Sequence, residues 1–72
     1  MKTYQHNNVT YGFNLALRKW TFKSERACII MPVKGGAETA HKIAGHVYGA
    51  LRRTNGEGLD GMARANINKL NA

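Results

Sequence analysis

The sequence predicts an α+β domain in which a three-stranded antiparallel sheet packs on one main helix, followed by a short C-terminal helix or tail. From Val9 to Leu17, apolar residues alternate with other residues, which is typical of a half-buried strand. After Gly35-Gly36, the apolar spacing changes to three and four residues, which is the period of an amphipathic helix. The chain has 72 residues, a length that allows one hydrophobic core and not two.

The predicted sheet has three strands. Val9–Leu17 is the first, because it combines strict alternation with aromatic and branched side chains. Trp20 and Phe22 alternate with polar neighbours and predict a second strand, whose two rings are needed in a small core. Ala27–Met31 is apolar throughout and predicts a third, more buried strand. A helix over residues 13–28 is the competing interpretation, and the alternation favours strands.

The main helix is predicted over residues 37–53. Its apolar residues lie on one face, and the following Asn55-Gly56 pair favours the left-handed backbone that ends helices. Gly45 and Gly49 lie four residues apart and weaken a helix. We expect them to allow a close approach of the helix to the sheet.

Three segments are expected to differ in order. Residues 9–56 form the predicted β-β-β-α core. Residues 1–8 are polar and show no core periodicity, so they are predicted to be a flexible N-terminal arm that orders on binding a partner. Tyr4 and His6 are its candidate partner-binding residues. Residues 57–72 have helical spacing interrupted by asparagines, which predicts a short helix or a partly disordered tail.

The charge is strongly positive. Eleven Lys and Arg residues stand against four Asp and Glu residues, which gives a net charge of +7 at pH 7. An excess of this size in so small a protein attracts nucleic acid or an acidic protein surface. A basic two-stranded ribbon can also enter the major groove of DNA. The candidate residues for such contacts are Arg18, Lys19, Lys23, Arg52 and Arg53.

Several classes of function are not expected. No apolar run approaches the roughly 20 residues of a membrane span, and the N-terminal residues lack the apolar segment of a secretory signal. The single cysteine, Cys28, cannot form an internal disulfide, which fits the reducing environment of the cytoplasm. We expect it to be a small buried hydrophobic residue.

The sequence also lacks the patterns of a catalytic or metal site. His6, His41 and His46 are not spaced as zinc ligands, and no nucleophile, base and orienting residue are placed together by any motif. Lys34-Gly35-Gly36 lacks the spacing of a phosphate-binding loop. A non-enzymatic protein is therefore predicted, with no metal, cofactor or small-molecule substrate.

Two resemblances to known proteins bear on function. Three strands followed by a helix that begins Ala37-Glu38-Thr39-Ala40 resemble, in layout, the arm-binding domains of phage integrases, which read DNA with a sheet. The small size and basic charge of the whole chain are similar to those of the regulators that lytic phages make to redirect host transcription. This second resemblance implies a phage protein that binds bacterial RNA polymerase in the host cytoplasm and inhibits or redirects transcription.

Two main functions are therefore open from the sequence. The first is a transcription regulator that binds RNA polymerase. The second is a small duplex DNA-binding protein that uses its sheet, like an integrase arm-binding domain or an excision factor. A third, less favoured hypothesis is a single-strand or RNA binder whose bases stack on Tyr11, Trp20 and Tyr48.

Overall fold

Four strands and then two helices follow one another along residues 2–72, the part of the chain that the computed structural model describes. The strands form one sheet in the order β1-β2-β3-β4, and each is antiparallel to the next. The predicted α+β class and antiparallel sheet are confirmed, but the prediction of three strands is wrong. The elements are β1 (Thr3–His6), β2 (Val9–Asn14), β3 (Lys19–Lys23), β4 (Cys28–Met31), α1 (Gly36–Arg53) and α2 (Gly61–Leu70).

The additional strand lies in the segment that was expected to be a flexible arm. β1 pairs with β2 through a two-residue loop, so that His6 lies opposite Val9. Asn7 in this loop has a φ of 54°, a left-handed conformation that asparagine tolerates better than most residues. Tyr4 and His6 alternate with exposed residues and are half-buried. Their alternation accounts for the strand; Met1, the first residue of the predicted arm, lies outside the described residues.

The strand predicted over Val9–Leu17 ends at Asn14 instead. The Asn14 side-chain oxygen accepts a hydrogen bond from the Leu17 N–H at 3.1 Å, and Arg18 has a φ of 55°. These features make a turn between β2 and β3. Local hydrogen bonding by asparagine competes with the strand here, so the apolar alternation continues past the end of the strand.

The core lies between one face of the sheet and α1, and α2 packs on the side of α1. Trp20 is 7% exposed and Phe22 is 1% exposed, so their predicted positions in the core are confirmed. We call this side of the sheet the covered face. The buried apolar residues are Val9, Tyr11, Trp20, Phe22, Ala40, Ile43, Ala44, Val47, Ala50, Leu51, Ala63 and Ile67.

Helix α1 ends at Arg53, as predicted, and the Thr54 N–H donates to the Ala50 carbonyl at 2.8 Å. The prediction that its two glycines permit a close approach to the sheet is wrong. The neighbour nearest to a Cβ at Gly45 would be the His6 ring at 3.9 Å, and at Gly49 it would be the Arg53 side chain at 3.3 Å. Neither glycine lies against the backbone of a strand.

Residues 57–72, for which a helix and a tail were both open, contain α2. The Asp60 side chain caps this helix, accepting a hydrogen bond from the Ala63 N–H at 2.9 Å. Ala63 and Ile67 are buried. Capping and apolar contact therefore stabilise a helix despite its asparagines.

Candidate nucleic-acid interface

The side of the sheet opposite α1 carries polar side chains, and we call it the open face. Because side chains alternate along a strand, the residues that precede and follow each core residue along its strand lie on this side. Most of its side chains are exposed, and Asn14 and Thr21 are half-buried. The residues of the open face are Thr3, Gln5, Thr10, Gly12, Asn14, Lys19, Thr21, Lys23, Cys28 and Ile30.

The open face combines hydrogen-bonding groups with positive charge. Hydroxyl and amide groups occupy the first two strands, and Lys19 and Lys23 lie at the two ends of β3. Four residues of strand separate these lysines by about 13 Å, close to the roughly 12 Å width of the major groove. In the part of the chain that the structure describes, no strand contains Asp or Glu, so carboxylates of the strands do not oppose an approaching phosphate.

Gly12 keeps the middle of the open face flat. A Cβ at this position would lie 3.0 Å from the Lys2 carbonyl oxygen, closer than a side chain can be placed without a shift of backbone. The neighbouring Thr21 hydroxyl donates to the Gly12 carbonyl at 3.4 Å. Gly12 itself is buried, so the centre of the face presents the small side chains around it, such as that of Thr21.

The predicted contact residues fall into two groups. Arg18, Lys19 and Lys23 lie along β3 and the turn that precedes it. Arg52 and Arg53 lie at the end of α1, in the helical layer on the other side of the sheet. The structure therefore does not bring the five residues together on one face.

Arg53 is engaged within the protein. Its Nε donates to Asp60 Oδ2 at 2.6 Å and its Nη2 donates to Oδ1 at 3.0 Å. These two hydrogen bonds, together with the one from the Ala63 N–H, lower the pKa of Asp60 to about 2. The hydrogen bonds to Asp60 also raise the pKa of Arg53. The geometry is that of a bidentate pair joining the end of α1 to the cap of α2. Arg53 thus has a structural partner that sequence reasoning did not identify.

Arg52 is exposed at the surface near Arg26, which is not among the contact residues predicted from the sequence. Its guanidinium lies 5.8 Å from the centre of the Tyr48 ring, and it lines a groove of about 250 Å³ together with Arg26 and Asn55. Arg26 donates to the Asn55 carbonyl at 3.2 Å. Two cations, Arg26 and Arg52, and one carboxylate, Glu25, therefore line the groove between the turn after Lys23 and the end of α1, and only the fold brings them together.

The two predicted partner-binding residues of the N-terminal segment contact the core. The Tyr4 ring stacks on Tyr11 with a centroid distance of 5.5 Å, and its edge contacts the His41 ring at 4.8 Å. His6 contacts the Tyr48 ring at 5.6 Å. Both residues are therefore ordered without a partner, and a binding role for them stays a prediction.

The aromatic residues proposed for base stacking do not lie on the open face. Tyr11 and Trp20 are buried, and Tyr48 is half-buried on α1. The Tyr11 hydroxyl pairs with His41 Nδ1 at 2.6 Å, and burial raises the pKa of Tyr11. Tyr11 and Trp20 therefore offer no stacking surface to single-stranded bases, whereas Tyr48 lines the groove beside Arg52.

The turn between β2 and β3 exposes an apolar tip, which we define as Phe13, Leu15 and Leu17. Their exposed fractions are 37%, 76% and 49%. Arg18 follows them directly.

Cys28 is exposed as well, so the expectation that it is buried is wrong. Its side chain alternates with those of the covered face and lies on the other side of β4.

No helix in the described part of the chain combines the length and the apolarity needed to cross a membrane. Comparison of the chain with protein-family models, with curated proteins and with solved structures finds no match. The functional assignment therefore depends on the geometry and charge of the surfaces described above.

Proposed function

We propose that this protein is a non-enzymatic DNA-binding protein that places the open face of its sheet in the major groove of duplex DNA. One surface carries the proposal: within residues 2–72, the open face is not covered by a helix, its strands contain no carboxylate, and lysines lie at both ends of β3. A sheet or ribbon of this kind fits the width of the groove.

The charged and the neutral residues have different roles in this proposal. Lys19 and Lys23 neutralise phosphates on the two sides of the groove and supply most of the affinity. The side chains between them, Thr10, Thr21 and Asn14, lie where they can hydrogen-bond to base edges or sugars. Binding is therefore strongly salt-dependent, and any sequence preference originates in the neutral residues.

Fluorescence anisotropy with a labelled duplex of about 20 base pairs tests the proposal. Three phosphate contacts, by Lys19 and Lys23 on the open face and by Arg18 in the turn before β3, predict a slope of about −3 for log affinity against log salt concentration. Lys23→Ala is expected to make the slope less steep by about 0.9. Lys42→Ala is the matched control, because Lys42 is an exposed cation on α1 and not on the open face.

Equal loss of DNA affinity in the Lys23→Ala and Lys42→Ala variants would show that binding follows net charge and not the open face. A wild-type slope near zero would exclude phosphate contacts altogether. Either result would contradict the proposed function.

The apolar tip supports a second candidate, a transcription regulator that binds bacterial RNA polymerase. Protein interfaces centre on apolar anchors with charge at the rim, and the exposed Leu15 and Leu17 are followed by Arg18 and Lys19. Under this candidate, a Leu15→Ser, Leu17→Ser double variant loses capture by purified bacterial RNA polymerase and keeps its DNA affinity. Lys23→Glu is expected to lose DNA affinity and to keep polymerase capture at physiological salt. Absence of polymerase capture by the wild-type protein would dismiss this candidate.

A further inference from the structure

Strand β4 has one unpaired edge. It pairs with β3 on one side and is the last strand of the sheet. The Ser24 N–H donates to the Ala27 carbonyl at 2.9 Å, which makes these residues a hydrogen-bonded pair of the antiparallel ladder. Since such pairs alternate with non-hydrogen-bonded pairs, the N–H and C=O groups of Cys28 and Ile30 point away from β3. The edge therefore presents two donors and two acceptors.

The side chain of Asn71 already pairs with the far end of this edge. Its amide nitrogen donates to the Pro32 carbonyl at 3.1 Å, and its amide oxygen accepts from the Lys34 N–H at 3.0 Å. An amide that donates to residue 32 and accepts from residue 34 makes the two bonds that the N–H and C=O groups of one residue in a parallel neighbouring strand would make. Within residues 2–72, no side chain makes such bonds to Cys28 or Ile30.

A groove of about 530 Å³ lies beside this edge, between β4 and α2. Its apolar lining includes Ile29, Met31, Leu59 and Ile67, and its only charged lining residue is Arg64. The groove therefore joins an unpaired strand edge, apolar side chains and one positive charge. Extended peptides bind to such an edge by adding a strand to the sheet. Pockets beside the edge then select alternate side chains of the peptide.

We propose that the edge of β4 binds an extended, acidic peptide segment of a partner protein as a fifth strand. Main-chain bonds to Cys28 and Ile30 continue the pairing that Asn71 begins. Apolar side chains of the segment enter the groove, and a carboxylate pairs with Arg64. The proposal goes beyond DNA binding, because it assigns a protein partner to a different surface.

Charge complementarity favours an acidic segment over a second copy of this chain. Two copies would each bring a net charge of +7, and like charges at an interface oppose association. Natural edge strands are commonly protected from other chains by charged residues, whereas Cys28–Met31 carries none. An uncharged edge within a basic protein is therefore suited to an acidic strand.

The probe for the test is a labelled peptide of about six residues, the usual strand length, with alternating valine and glutamate. We expect it to bind the wild-type protein and to slow hydrogen exchange at the Cys28 and Ile30 amides, with little change at Ile29. The same peptide with lysine in place of glutamate is expected to bind at least about tenfold more weakly.

Two variants and one control separate the edge from general charge. Ile30→Pro removes an outward N–H without removing a bond to β3, and Arg64→Glu reverses the charge of the groove. Each is expected to weaken binding of the acidic peptide by about tenfold. Arg18→Glu makes the same change of charge at the β2–β3 turn. It is expected to weaken binding of the acidic peptide less than Arg64→Glu does. Because Ile30→Pro can also alter folding, its melting temperature is measured beside that of Arg64→Glu.

Equal affinity for the acidic and basic peptides would overturn the proposal, as would equal losses in Arg64→Glu and Arg18→Glu. Protection of the Cys28 and Ile30 amides that depends on protein concentration and needs no peptide would identify a second copy as the occupant. DNA binding by the open face is measured separately, so failure of one proposal does not imply failure of the other.

Discussion

The two faces of the sheet are built from the same four strands and differ in composition along β1, β2 and β3. On the covered face, the Tyr11 ring stacks between Tyr4 and Phe22, with centroid distances of 5.5 Å to both. On the open face of these three strands, the neighbouring positions are threonine, glutamine, glycine, asparagine and lysine, whereas β4 contributes Cys28 and Ile30. Alternate residues of a strand thus serve the core and the surface separately. The comparison predicts that substitutions on one face change stability and those on the other change binding.

The largest expected difference between the faces is at Trp20 and Thr21, which are adjacent in β3. Trp20→Ala is expected to lower the free energy of unfolding by ~3–5 kcal/mol, because it removes a buried ring from a small core. Thr21→Ala is expected to cost less than about 1 kcal/mol. Urea denaturation measures both. Similar losses in the two variants would contradict the separation of the faces.

A smaller difference is expected in β1, where it also tests whether this segment is a strand. Tyr4→Ala removes a half-buried ring that stacks on Tyr11, and we expect a loss of about 1.5–3 kcal/mol. Gln5→Ala, on the open face, is expected to change stability by about 0.5 kcal/mol or less. If Tyr4→Ala left the urea midpoint unchanged, residues 2–8 would behave as the flexible arm that the sequence suggested.

The smallest effect is expected from the Arg53–Asp60 pair, away from both faces. The pKa of Asp60 falls from its ordinary value of 3.8 to about 2 on folding. A lowered folded-state pKa stabilises the protein above the unfolded pKa, and this contribution is lost as the pH falls from 3.8 through about 2. Asp60→Asn keeps a capping side chain and should remove this part of the pH dependence.

Melting temperatures between pH 5 and pH 2 measure this effect. The wild-type melting temperature is expected to fall more steeply through the acid window than that of Asp60→Asn. Glu57→Gln is the control, because Glu57 is an exposed carboxylate outside the pair. Parallel curves for wild type and Asp60→Asn would show that the pair does not stabilise the packing of α1 on α2.

Much of the fold was predictable because its elements have strong local signals. The change from alternation to helical spacing after Gly35-Gly36 correctly separated the sheet from α1. β1 was missed, although Tyr4 and His6 alternate with polar residues and the two-residue loop after His6 is typical of a hairpin. Its weak hydrophobicity hid the strand, since neither residue is a strong apolar core residue and both depend on rings from α1 and β2 for their contacts.

The candidate site was less predictable. A sequence shows which residues are charged, but it does not show which of them pair with one another in the fold. The sequence identified Lys19 and Lys23 as exposed cations, and the strand register places both on the open face. It also selected Arg53, which is paired with Asp60 through a contact between two helices. The edge of β4 carries no sequence signal, since it depends on which strand is last in the sheet and on the position of α2.

The open face is the surface proposed to bind duplex DNA. Titration of the ¹⁵N-labelled protein with a duplex of about 20 base pairs, followed by amide NMR shifts, tests this proposal most directly. The proposal predicts that the largest shifts occur along β2 and β3, at Thr10, Asn14, Lys19, Thr21 and Lys23, with small shifts in α2. Shifts centred on the apolar tip, on the edge of β4 or at Arg52, with these five residues unchanged, would contradict it.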